Sequence, residues 1–386
     1  MWLTMQTIDI NLFYEFLRCS VGLHQCLSRI PSREEWVSLY SLSKRHAISG
    51  VCFYGLHKLW EANPAFTANL PDSLRMHWIA VAASIVERNE LLNRRCLELQ
   101  ARFQHSGMRS CILKGQGVAQ LYALSMEVVS SNVDSNSLEL SKLRQSGDID
   151  IWVDEDMTKV IDWARIEGIS IEHVDLNHAQ MSLLKDVEVE VHFIPSLLHN
   201  PFDNKKLQRY FAEEASKQFD NFDDLVGFSY PTVEFNLVYS LLHIYRHFFS
   251  SGVGLRQIMD YYFILSASDD KERRKAMSII KSVRINRFSA ALMYVMNVIF
   301  GLERNKMLCD PLEAEGSRLL MEILVSGNFG SGDTRYIYSG QENRFYNGFV
   351  YIKRNLKNVL TYPNETIWSP LWKLWHYCWR KKQGYL

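Results

Sequence analysis

The chain has 386 residues, with 43 basic and 43 acidic side chains and a formal net charge of zero. That length accommodates two or three domains. The balanced charge argues against a dedicated DNA- or RNA-binding protein, which carries a basic excess, while leaving room for a local basic groove. Seven cysteines stand singly with no Cys-x-x-Cys, the pattern of reduced thiols in a cytoplasmic protein. The first ten residues include Asp9 and lack the basic stretch that opens a signal peptide. No apolar run reaches the roughly 20 residues needed to span a bilayer.

From Asn11 to about Gln104 the pattern is helical, punctuated by Pro31, Pro64 and Pro71 and clearest from Ile79 to Leu92. A short αβ core is expected from near His105 to near Pro195. It opens on the apolar run 110–113, followed by Lys114-Gly115-Gln116-Gly117 and a helical pattern from Val118. Strand, glycine turn and helix expose backbone N–H groups to an anion at the helix N-terminus, and Lys114 adds a positive charge. Many glycine turns of this kind hold nothing. Residues 125–145, with Ser130-Ser131-Asn132 and Asp134-Ser135-Asn136-Ser137, read as an inserted surface loop.

The most telling stretch follows. Ser146-Gly147-Asp148-Ile149-Asp150-Ile151-Trp152-Val153 reads as a turn running into a strand. Residues i and i+2 of a strand share a face, so Asp148 and Asp150 project together and Ile149, Ile151 and Val153 project oppositely. Paired carboxylates repel unless a cation lies between them. The pair is either a solvated strand face or a divalent-metal site. Residues 156–167 predict a helix. Val187-Glu188-Val189-Glu190-Val191-His192-Phe193 then alternates as a strand, with Glu188, Glu190 and His192 on its polar face. If the two strands are sheet neighbours, a third carboxylate joins the Asp pair, and the set suits one or two Mg²⁺ ions, with Mn²⁺ as the alternative. His192 either orients a carboxylate or is a satisfied residue at the sheet edge; His173 and His178 are weaker candidates.

Taken together, Leu113-Lys114-Gly115, Arg144-x-x-Gly147-Asp148-x-Asp150 and Glu190-Val191-His192 resemble the polymerase-beta-type nucleotidyltransferase superfamily. The resemblance is closest to bacterial nucleotidyltransferase-like proteins linked with surface-polysaccharide genes. It covers about a quarter of the chain. It implies Asp148, Asp150 and Glu190 as catalytic metal ligands, with Glu188 the alternative to Glu190. It implies Lys114 and Gly115 at the triphosphate turn and Gly147 in nucleotide binding; Arg144 is either a phosphate or substrate contact, as the resemblance suggests, or a surface residue at the loop end. Two departures are evident: Lys114-Gly115 stands where the superfamily has Gly-Ser, and the third acid is Glu rather than Asp.

Beyond Pro201 the chain returns to helix. Pro231 opens a helix that carries His243 and His247, spaced i, i+4 on one face. No Glu lies between them and no third ligand is evident, so they read as lining a cleft or packing internally rather than as a zinc site. The run Gly252-Val253-Gly254-Leu255-Arg256 opens another helix, in which Arg256 either pairs with Asp260 or faces the triphosphate; the resembling proteins carry a similar run. Trp368, Trp372, Trp375 and Trp379 fall on one helical face, followed by Arg380-Lys381-Lys382. This stripe either docks on the protein's own core, with Phe329, Phe345, Tyr346 and Phe349 as partners, or meets a membrane interface or another protein.

The expected fold is α+β: an N-terminal helical region (1–104), a small polymerase-beta-like mixed-sheet core (105–200) and a C-terminal helical domain (201–386). The expected function is transfer of a nucleotidyl group from an NTP to an unidentified hydroxyl or phosphate. The alternative is a catalytically inactive nucleotide-binding or scaffold protein of a surface-polysaccharide pathway.

Overall fold

The computed structural model describes residues 9–127, 139–331, 333, 335 and 344–385. Helices α1 (Ile10–Ser20), α2 (Arg33–Arg45), α3 (Ser49–Ala62) and α4 (Asp72–His105) come first. Ser32 and Glu35 form a capping box at the start of α2, and Pro71 sits at the N-cap of α4. Next come β1 (Ser110–Ile112), α5 (Gln116–Glu127), β2 (Ile149–Val153), α6 (Met157–Ile166), β3 (Ile171–Val174), β4 (His178–Met181) and β5 (Val189–His192). After them follow α7 (Pro201–Phe219), the hairpin β6 (Phe222–Asp223) and β7 (Phe228–Ser229), α8 (Val233–Phe249), α9 (Leu255–Ala267), α10 (Asp270–Ser282) and α11 (Asn286–Phe300). The last helices are α12 (Glu313–Ser326), α13 (Arg344–Leu356) and α14 (Pro363–Gln383). The protein is thus α+β. Most of the Ser- and Asn-rich loop, residues 128–138, lies outside the described residues.

The main sheet has the order β1-β2-β5-β4-β3. Strands β2 and β5 are parallel neighbours, with Asp150 opposite Glu190 and Trp152 opposite His192. The remaining pairs, β1–β2, β5–β4 and β4–β3, are antiparallel. Alternation sorts the side chains as expected. Ile149, Ile151, Val153, Val187, Val189, Val191 and Phe193 join one apolar core with Leu92, Leu99 and Phe103 of α4 and Val160 and Ile161 of α6. The opposite face carries Asp150, Glu190 and His192. Trp152, on that same face, is stacked 5.8 Å from Phe235 of α8. A second core joins α1–α3 to α8–α11.

Strands β3 and β4 depart from the sequence reading, which placed no strand between β2 and β5. Each has only four residues, half of them polar (Glu172, His173, His178 and Gln180), so neither offers an apolar pattern long enough to read as a strand. Helix α14 begins at Pro363, and Pro370 lies inside it. The Trp stripe is divided. Trp368 meets Phe202, Trp372 lies 4.5 Å from His199, and Trp379 stacks on His376. Trp375 remains 52% exposed, beside exposed Ile367, Leu371 and Leu374. Phe329 packs instead on Arg256 and His247, while the side chains of Phe345, Tyr346 and Phe349 lie outside the described ones. Among the described residues no helix is long and apolar enough to cross a membrane. The seven cysteines are free.

His46 anchors the start of α9, accepting from the Leu255 N–H at Nδ1 over 3.3 Å. Burial pushes its ring down to about 3. The unfolded ring titrates near 6.5, so below that pH the unfolded chain holds a proton that the folded one excludes. This contribution to stability is therefore complete above pH 6.5 and falls as pH drops toward 3. One such ring loses about 2 kcal/mol between pH 6.5 and 5. Denaturant titrations across this range are expected to show the decline, with a shallower pH slope for His46→Gln; an unchanged slope would refute the assignment.

Candidate active site

The polar face of the sheet and one side of α8 and α9 enclose a cavity of about 370 Å³. Lys114, Gly115, Arg144, Gly147, Asp148, Asp150, Glu190 and Arg256, the residues singled out in sequence, all border it. Glu188 does not: it is exposed and borders a different hollow.

Asp150 lies at the centre and is 4% exposed. Its Oδ1 is 2.6 Å from Lys114 Nζ and 2.9 Å from His192 Nε2. Burial works against its charge, yet Lys114 and His192 hold the carboxyl well below its ordinary range. Burial likewise disfavours the Lys114 charge, but Asp150 raises it above the usual lysine range. Asp148 moves the other way, raised first by repulsion from Asp150 and then by burial. Ligand oxygens of Asp148, Asp150 and Glu190 all lie within 4.8 Å of one another. Hard oxygen donors at this spacing, with unrelieved repulsion at Asp148, fit a divalent cation.

The turn after β1 brings Lys114 here. Gly115 takes φ +53°, a conformation that favours glycine. A Cβ on Gly117 would stand 2.3 Å from the Ile112 carbonyl oxygen, so this position also needs glycine for α5 to pack against β1. At Gly147 a Cβ would meet open space.

Arg144 is buried, and its fork is closed on Asp260: Nε to Oδ1 and Nη2 to Oδ2, both 2.7 Å. Tyr122 of α5 donates to the same carboxylate at 2.8 Å. The cluster ties α5, the turn before β2 and α9 together. Asp260 thus pairs with Arg144 rather than with Arg256, its neighbour at i−4. Arg256 donates from Nη1 to the Gln145 carbonyl at 3.0 Å and lies over Phe329. Neither Arg256 nor Arg246 has an ion pair among the described residues, and burial pushes both guanidinium groups down from their ordinary range. Two cavity-lining cations with no direct ion pair, and with acids acting on them only at longer range, are suited to an anion.

His243 and His247 line the same wall, with ring centroids 4.3 Å apart. Neither joins a group of three metal-binding side chains among the described residues. Sequence reasoning missed Arg246 and Tyr239. Helical spacing would have found them, because Tyr239, His243, Arg246 and Ser250 fall at i, i+4, i+7 and i+11 and all border the cavity.

A family model described as uncharacterised nucleotidyltransferase matches residues 32–126 and 137–301. The matched span holds the Lys114 turn, both acid-bearing strands, α8 and α9. No curated protein matches the chain.

Breaking the clamp has a measurable cost. Asp260→Ala leaves the Arg144 charge buried and unpaired and is expected to destabilise the fold by about 3–5 kcal/mol. An Arg144→Met/Asp260→Leu double variant should lose less, as read from denaturant midpoints. A loss in the double variant equal to the sum of the Arg144→Met and Asp260→Leu losses would show that the pair is not coupled.

Proposed function

Because this chain belongs to the uncharacterised nucleotidyltransferase family, we propose that it is a metal-dependent enzyme that moves a nucleotidyl group from a nucleoside triphosphate to an acceptor hydroxyl or phosphate. The observation that carries this reading is that three clustered acids and two arginines without a direct ion pair line one cavity. Asp148, Asp150 and Glu190 hold Mg²⁺, which when bound neutralises charge on the triphosphate. Arg246 and Arg256 take the phosphate oxygens, and the Lys114–Gly115 turn adds backbone donors. Arg144 acts through Asp260 as a positioning residue. The acceptor oxygen forms a bond to the α-phosphorus, the bond from that phosphorus to the bridging oxygen breaks, and pyrophosphate leaves. When the acceptor is a hydroxyl, Glu190 takes its proton. Positioning and charge neutralisation supply most of the acceleration. The resemblance to proteins of surface-polysaccharide gene clusters directs the first acceptor screen to sugar phosphates.

A second reading, nucleotide binding without turnover, is favoured by Lys114 standing where the superfamily has its turn serine, 2.6 Å from Asp150. In that case the exposed face of α14, with Leu371, Leu374 and Trp375, would serve a scaffold role.

Calorimetric titration with non-hydrolysable NTP analogues, with and without Mg²⁺, separates the outcomes. The wild type is expected to bind one analogue only with Mg²⁺, and Asp148→Ala/Asp150→Ala to lose that binding. Arg246→Ala should weaken it by roughly 10- to 100-fold, the worth of one charge-assisted hydrogen bond. Asp150→Asn should remain folded, less stably because Lys114 loses its counter-charge, and should release no pyrophosphate. A folded wild type that binds no NTP would end the proposal, and binding without pyrophosphate release from any acceptor would favour the second reading.

A further inference from the structure

Glu190 belongs to two clusters of metal-binding side chains. One is the all-oxygen set with Asp148 and Asp150. The other consists of His178, Glu190 and His192, whose ligand atoms also lie within 4.8 Å of one another. Strand pairing assembles this second cluster. β4 and β5 run antiparallel with His178 directly opposite His192, and Glu190 shares a strand face with His192. From Glu190 Oε2, His192 Nε2 is 3.5 Å away and His178 Nε2 is 3.8 Å away. Ligands bonded at about 2.0–2.2 Å to a tetrahedral ion stand roughly 3.4 Å apart, so small side-chain shifts close the set. His178 is held from behind, with Asn177 Nδ2 2.9 Å from its Nδ1. A polar partner on the outer ring nitrogen is how metal-binding histidines are oriented. With the Asn177 amide turned to offer Oδ1, Nδ1 carries the proton and Nε2 is free to bind.

We propose that His178, Glu190 and His192 form a second cation subsite, which takes a first-row transition ion such as Mn²⁺, Co²⁺ or Zn²⁺ in preference to Mg²⁺ and shares Glu190 with the all-carboxylate subsite. Two imidazole nitrogens suit these ions, whereas Mg²⁺ demands oxygen donors. Loading the subsite costs the His192–Asp150 hydrogen bond. On loading, Nε2 of His192 would release its proton to solvent and turn its lone pair to the ion, leaving Asp150 Oδ1 with Lys114 as its partner. The inference rests on the cation reading of the three acids only through the shared Glu190.

The test uses the full chain without nucleotide. Co²⁺ binding is followed by its visible absorption, and Mn²⁺ ligation by the nitrogen modulation of its electron-spin echo. The wild type is expected to bind Co²⁺ at least about 10-fold more tightly than Mg²⁺ and to show nitrogen coupling to Mn²⁺. His178→Ala, and His178→Gln as a bulkier variant should the first not fold, should weaken Co²⁺ binding at least about 10-fold and remove the nitrogen coupling. Both should keep Mg²⁺-dependent NTP binding. Asp148→Ala should do the reverse, losing Mg²⁺-dependent NTP binding while keeping nitrogen-ligated Co²⁺. A wild type that binds Co²⁺ no more tightly than Mg²⁺, or a folded His178 variant that binds Co²⁺ as the wild type does, overturns the subsite. Unchanged Mg²⁺-dependent NTP binding in Asp148→Ala would instead overturn the reading of the carboxylates.

Discussion

A carboxylate buried in the middle of a sheet face must be compensated, and the arrangement around Asp150 follows from that requirement. Removing a charge from water costs several kcal/mol unless partners replace the lost solvation. Here Lys114 comes from the turn after β1 and His192 from the neighbouring strand, and both meet the same oxygen. The first contact fixes the glycine turn over the end of β2. The second depends on the parallel pairing of β2 with β5, which sets Asp150 opposite Glu190. A shift of one residue in that register would send Glu190 and His192 to the apolar face and bury Val191 against the cavity. The register of one strand pair thus determines whether an acid cluster exists.

The opposite wall answers the same electrostatic problem with reversed sign. Arg246 and Arg256 lie on α8 and α9, helices whose other sides are packed into the larger apolar core. Their positions are rigid because the helices are. Gly254 lets α9 start against Asn328, where a Cβ would come within 2.7 Å of backbone. The Arg144–Asp260 clamp then sets the distance between α9 and the turn that carries Asp148. Acids on a sheet and guanidinium groups on helices, held apart by a buried ion pair, leave a gap suited to a polyanion escorted by a cation.

Much of this was legible in the sequence. Glu190 and His192 stand out because residues 187–193 alternate strictly, and Asp148 and Asp150 because they are charges at i, i+2 beside the apolar run of β2. The Lys114 turn was legible from its glycines. Strands β3 and β4 were not, because each is only four residues long, too short for an alternation such as His178-Ala179-Gln180-Met181 to stand out. Arg246 was overlooked although Tyr239, His243 and Ser250 share its helical face, because that face shows as one wall only once the cavity is seen. The partner of Asp260 was not legible: only Arg256 lies near it along the helix, while the fold delivers Arg144, distant in sequence, with a bidentate geometry.

The central claim is that the cavity brings the α-phosphorus of a nucleotide, rather than its terminal phosphate, to the acceptor. Incubation with Mg²⁺ and an NTP labelled at either the α or the γ phosphorus, against a panel of sugar phosphates, tests it most directly. The account predicts that the α label enters the acceptor while the γ label leaves as pyrophosphate. Transfer of the γ label to the acceptor, with the nucleoside diphosphate released, would contradict it.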